Sequence, residues 1–138
     1  MTLALSYEHR IVGDVAGLFM VLDYPAGSSV PGTGTDARVK ERIATVAEGK
    51  VRVLGDDQDT DADGQEDRLR LLVALTEGTT LPTGPIARVR FDCVDEARLA
   101  ADQFRCTVDQ VSDGAGQLIA AEEARKVTCM ASIGQAGK

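Results

Sequence analysis

The chain has 138 residues, 43% of them hydrophobic and 27% charged, which suits one globular domain around a single core. Its 22 acids against 15 lysines and arginines give a net charge of −7, which argues against nucleic acid, a partner that demands a basic footprint. No apolar run approaches the ~18 residues of a membrane span, so no membrane insertion is expected.

Met1 leads almost directly into a strand-like segment, Thr2 to Tyr7, with no signal peptide ahead of it. That start reads as a single domain, residues 1–138, excised from a longer protein. Val15 to Tyr24 is a continuous apolar run and predicts a strand buried on both faces. Pro25 to Thr35 is a loop rich in Gly, Ser and Pro, while Ala37 to Val46 fits either a strand or a helical turn. Val51 to Leu54 is the next strand. Then Leu69, Leu71, Val73 and Leu75 share one face, with Arg68 and Arg70 on the other. After a loop from Gly78 to Pro85, Ala87, Val89, Phe91 and Cys93 repeat the alternation against Arg88, Arg90 and Asp92. Glu96 to Gln103 can carry one helical turn. Phe104, Cys106 and Val108 alternate with Arg105, Thr107 and Asp109, and Val127, Cys129, Ala131 and Ile133 close the series. Period 2 is the strand signal. About eight or nine short strands at this spacing predict an all-β jelly-roll sandwich of immunoglobulin-like type.

The charge is not spread evenly. Seven acids and no base fall between Asp56 and Asp67, and the remaining acids balance the 15 lysines and arginines. Carboxylates a few Å apart repel by about 1 kcal/mol per pair in water and about 4 where solvent is partly excluded. Within this run stands Asp59-x-Asp61-x-Asp63-Gly64-x-x-Asp67. Calcium loops of the EF-hand type place oxygen donors at positions 1, 3, 5 and 9, with Gly at 6 and a backbone carbonyl at 7. Asp59, Asp61, Asp63 and Asp67 meet the side-chain positions, Gly64 the turn, and Gln65 the carbonyl. Position 12 is Arg70 instead of a bidentate Glu. The stretch therefore resembles the shorter calcium loops of extracellular proteins, such as thrombospondin type 3 repeats and integrin propeller blades. Asp57 is a further candidate, as an extra or supporting ligand. Hard oxygen donors favour Ca²⁺ over Zn²⁺, and the missing twelfth ligand predicts a dissociation constant of about 10⁻⁴ to 10⁻³ M. The competing reading is a solvated acidic turn. Lying between two strands, the loop is expected to close a long hairpin and pin its register when calcium binds.

Enzyme chemistry finds little support. His9 is the only histidine and sits in a charged Glu8-His9-Arg10 segment, read as a surface turn, and no triad or facing carboxylate pair stands out. Gly32-Thr-Gly34 lacks the Lys-Ser/Thr of a phosphate loop. Phe19, Phe91 and Phe104 fall on apolar faces and are expected in the core, leaving Tyr7 and Tyr24 as surface aromatics for a sugar. Three cysteines fit one disulfide, Cys106–Cys129 or Cys93–Cys106, plus a thiol, which together with calcium favours a secreted or cell-surface setting.

The order of segments resembles a cohesin-like domain, the nine-stranded jelly-roll of cellulosome scaffolds and other bacterial surface proteins. Its V-A-G-[FL]-x-[FLV]-x-[LV]-x-Y strand is similar to Val15 to Pro25, and its G-x-[IL]-x-x-[VIL]-x-F-x-[VC] pair to Gly84 to Cys93. Cys106-Thr-Val108, Ser112-Asp113 to Gly116 and Thr128-Cys129 resemble the later segments. The resemblance spans about Leu3 to Ile133 and implies a non-catalytic protein–protein interaction or adhesion module. It implies another protein module as partner, of which a dockerin-like one is an example, although no dockerin-contacting residue carries over. A carbohydrate-binding module that takes polysaccharide, or a structural spacer, are the alternative readings.

Overall fold

Alternation sets the first strand: Leu3, Leu5 and Tyr7 are buried while the residues between them stay partly in water. The computed structural model describes residues 1–10, 15–46, 51–58, 67–75, 81, 83–95, 98–115 and 117–134. Among these, the elements in chain order begin with β1 (Thr2–His9), β2 (Gly17–Asp23), β3 (Ser28–Ser29), α1 (Ala37–Lys40), β4 (Ile43–Thr45) and β5 (Val51–Gln58). Then come β6 (Arg68–Leu75), β7 (Gly84–Arg90), β8 (Asp92–Cys93), a 3-10 turn (Ala101–Gln103), β9 (Arg105–Ser112), α2 (Ala121–Ala124) and β10 (Val127–Gly134). The long strands form two four-stranded antiparallel sheets, ordered β10-β1-β7-β4 and β5-β6-β2-β9, and β3 pairs with β8 alone. The chain is an all-β sandwich.

Side chains from both sheets make one core. Leu3, Leu5, Ile86 and Val89 face Leu18, Met20, Leu22, Leu69, Leu71 and Val73, all fully or almost fully buried. Burying each such side chain is worth about 1.5–3 kcal/mol. Phe91 bridges Tyr24 and Phe104, with ring centroids 5.1 and 5.3 Å away, and seals one end of that core.

The two flanks close differently. On one, the disulfide Cys106–Cys129 joins β9 to β10 with its Cα atoms 5.7 Å apart, which leaves Cys93 as the thiol. On the other, β4 lies against β5 with the Ile43 side chain over Gly55, where an added Cβ would meet Ile43 Cδ1. Gly34, at a φ of 60° that favours glycine, then pairs its backbone with Asp57 on the outer side of β5.

Several expectations need adjustment. Ala37 to Val46 is neither one strand nor one turn but α1 followed by β4, with the Asp36 side chain capping α1 by accepting the Arg38 N–H at 2.8 Å. Glu8 and His9 end β1 instead of forming a turn, and His9 is half-buried beside Tyr7. The alternation of β9 breaks at a bulge. Phe19 opposes Gln110 while Met20 opposes Val108, so Asp109 is the extra residue and Val111 becomes the next buried one.

Candidate metal hairpin and the sheet face beside it

The acidic run is built on a hairpin, as its position between two apolar segments predicts. β5 and β6 pair from Val51↔Leu75 through Gln58↔Arg68, and the Asp67 N–H closes the ladder on the Gln58 carbonyl at 2.8 Å. The Asp67 carbonyl in turn accepts the Tyr24 N–H at 3.1 Å, fixing the second anchor to the end of β2. Of the predicted ligands, Asp67 and Asp57 stand at this root, whereas Asp59, Asp61, Asp63 and Gln65 lie outside the described residues. Among the described residues no group of three or more metal-ligating side chains comes together. The chemistry of the donor set, all carboxylate and carbonyl oxygen, fits Ca²⁺.

Asp57 is 1% exposed. Its Oδ1 accepts a 2.7 Å hydrogen bond from the Tyr24 hydroxyl, and its backbone exchanges bonds of 2.8 and 2.9 Å with Gly34. A carboxylate taken out of water is costly unless bonded, so this contact belongs to the architecture of the hairpin root. Asp56 points to the other face, where its Oδ2 accepts from Gln58 Nε2 at 3.1 Å.

The arginines that follow the run are committed elsewhere. Arg68 reaches across to Asp23, Nε to Oδ1 at 2.7 Å, and this bond holds the guanidinium above its ordinary pKa. Arg70 lies 3.6 Å from Asp109 and stacks over the Phe19 ring at 5.3 Å. Both are ion pairs at the surface, worth at most about 1 kcal/mol each.

The aromatic side chains correct the sequence reading in both directions. Tyr7 and Tyr24, expected at the surface, are 1% and 5% exposed. The Tyr7 hydroxyl donates to the Leu81 carbonyl at 2.6 Å, and burial pushes its pKa up to about 12. Neither tyrosine can stack on a sugar. Phe19, expected in the core, is half-exposed, because β2 turns Leu18, Met20 and Leu22 inward and Phe19 outward. Phe91 and Phe104 are buried as expected.

Phe19 belongs to a feature that sequence reasoning missed. Strand register lines up Leu54, Leu72, Phe19 and Gln110 across the outer face of β5-β6-β2-β9. Leu54 is 39% exposed, and Leu72 and Phe19 are half-buried. This apolar row separates two hollows. A larger one of about 330 Å³ is floored by Ala16, Gly17 and Ala74 and walled by Leu118, and a smaller one of about 110 Å³ runs toward Thr35 and Asp56. At Gly17, which lines the larger hollow, an added Cβ would sit 2.7 Å from Ser112 Oγ. The next rows are polar apart from Val21: Asp56, Arg70, Val21 and Thr107, then Gln58, Arg68, Asp23 and Arg105. The signal for this face was Leu54 and Leu72 on the polar parity of their strands.

No family model, curated protein or solved structure matches this chain. Among the described residues no helix is long and apolar enough to cross a membrane.

Proposed function

We propose that this chain is a non-catalytic, calcium-stabilised interaction module that docks another protein on the outer face of β5-β6-β2-β9. The observation that carries the reading is the apolar row Leu54–Leu72–Phe19, part-exposed in the middle of a sheet face and flanked by two hollows. Interfaces are built around such apolar centres with a polar rim. Charge selects the partner. The row ends beside Asp56 and the root of the acidic run, so the fitting occupant is a segment with two apolar side chains for the hollows and a basic end toward the hairpin. The cohesin-like order of segments supports a protein partner over a polysaccharide, and the burial of both tyrosines removes the platforms a sugar would use. The Cys106–Cys129 disulfide supports a secreted or cell-surface setting.

In this reading Asp59, Asp61, Asp63 and Asp67 with the Gln65 carbonyl hold the ion, and Asp57 braces the hairpin beneath them. Calcium supplies neutralisation of the clustered carboxylates. The chain's own part is to fix both ends of the loop through the Gln58–Asp67 pair.

Two measurements test the two halves. With a dissociation constant near 10⁻⁴ to 10⁻³ M, several millimolar Ca²⁺ adds about 2 kcal/mol and raises the melting temperature by roughly 6–10 °C over chelator. Asp61→Asn with Asp63→Asn removes that rise, and an absent rise in the native chain overturns the calcium assignment. A displayed library of protein fragments selected in calcium should yield binders that Leu72→Lys abolishes. Binders indifferent to Leu72→Lys overturn the docking face.

A further inference from the structure

A β-sandwich exposes four strand edges, and an unprotected edge is a template for another strand. Three of the edges here are guarded. β4 is only 3 residues long. β5 is paired on its outer side by Gly34 and carries Arg52 and Asp56. β9 carries Arg105 and Asp109, is bent by its bulge, and is covered at its far end where the Ile119 N–H meets the Val111 carbonyl at 2.8 Å.

β10 carries no charge and no bulge, and the disulfide at Cys129 holds β9 against it without pairing its backbone. Its 8 residues, Val127 to Gly134, include no charged side chain and no proline, in a chain that is 27% charged. Its ladder with β1 runs without a bulge from His9↔Val127 to Thr2↔Gly134. Beyond β1 it has no backbone partner among the described residues. Met130 is 67% and Ile133 40% exposed, so the edge is also apolar.

We propose that β10 is a self-docking edge, where two copies of the chain pair antiparallel about a two-fold axis at Met130. The two four-stranded sheets then become one continuous sheet of eight. Because side chains alternate with period 2, residues on the outer face must meet residues on the outer face. A register centred on Met130 satisfies this, with Thr128 opposite Ser132 of the second copy and Cys129 opposite Ala131. The Met130 side chains of the two copies, the most exposed apolar groups of the edge, thereby cover each other.

Charge favours the second copy over other occupants. Each chain carries −7, which opposes association, yet the excess falls in the run that joins β5 to β6, at the opposite edge of its sheet from β9, the strand tied to β10. At ~4.8 Å per strand, β6 and β5 stand about 10 and 14 Å from β9. The two hairpin roots of a dimer are then separated by more than two Debye lengths of about 8–10 Å. An uncharged strand of 8 residues also meets its own copy without opposing like charges, and the other uncharged edge, β4, is too short to do so.

Sedimentation equilibrium tests this, from about 10 µM to about 1 mM, a range that spans a weak interface. The native chain should shift from one-chain toward two-chain mass, and Met130→Lys should hold it at one-chain mass with an unchanged melting temperature. In a Cys93→Ser background, Met130→Cys should form a disulfide-linked dimer on oxidation. A native chain that stays at one-chain mass to about 1 mM overturns the proposal, whether or not an added strand-forming peptide binds β10. So does a dimer that survives Met130→Lys, or a Met130→Cys variant that fails to cross-link.

Discussion

The two flanks of the sandwich hold its sheets together by opposite means. At β9–β10 a covalent bond, Cys106–Cys129, does the joining. At β4–β5 the closure is a set of weak contacts: Ile43 against the bare backbone of Gly55, the Gly34–Asp57 bridge, and the Tyr24–Asp57 hydrogen bond. One flank opens only when a covalent bond is reduced, and the other is built from non-covalent contacts at the root of the acidic hairpin. Under the calcium proposal the molecule thus has a permanent side and a responsive side.

The largest perturbation tests the permanent side. Replacing Cys106 and Cys129 by Ser reopens a loop with a sequence separation of 23 and should lower stability by about 3 kcal/mol in urea unfolding. A loss below about 1 kcal/mol would show that this flank is held by packing and that the contrast is false. On the responsive side, Tyr24→Phe removes a buried hydrogen bond to a carboxylate and should cost about 2 kcal/mol. If hairpin root and acidic loop are coupled, the same variant also shows a smaller calcium-induced rise in melting temperature. An undiminished rise would separate them.

Tyr7 sits opposite Cys129 in the β1–β10 ladder, but its hydroxyl bonds the Leu81 carbonyl and none of the contacts that close either flank, so it supplies the control, with the smallest effect. Its folded-state pKa of about 12 lies above the ordinary ~10 of an unfolded tyrosine. Between those values the unfolded chain sheds a proton that the folded chain keeps, so stability falls as pH rises from about 10 to about 12. Tyr7→Phe should flatten that alkaline decline without altering the response to calcium or to reductant. A decline of equal steepness in the variant would assign it to other groups.

How much of this was legible depended on alternation. Leu69, Leu71 and Val73 alternate with Arg68, Arg70 and Ala74, with Leu72 the one break, and their burial follows the pattern. The run from Gly17 to Leu22 does not alternate, so nothing in it announced that Phe19 alone would turn toward water. The bulge at Asp109 shifts phase within a strand whose composition gives no turn signal. Asp57 was hidden by its company. In a run of carboxylates one expects solvent, and only the register Asp57↔Leu69 places this one on the buried parity. Choosing between Cys106–Cys129 and Cys93–Cys106 required knowing which strands neighbour each other across the sheets, which is a long-range fact.

The meeting of Gln58 and Asp67 at the hairpin root has a practical corollary. Because the stretch between them departs from and returns to one hydrogen-bonded point, its length is thermodynamically almost decoupled from the sheet. Doubling it would cost only about 0.6 kcal/mol in closure entropy. The scaffold is thus a natural receptacle for exchanged or inserted sequences there, with Tyr24 and Asp57 serving as the socket that any replacement must leave intact.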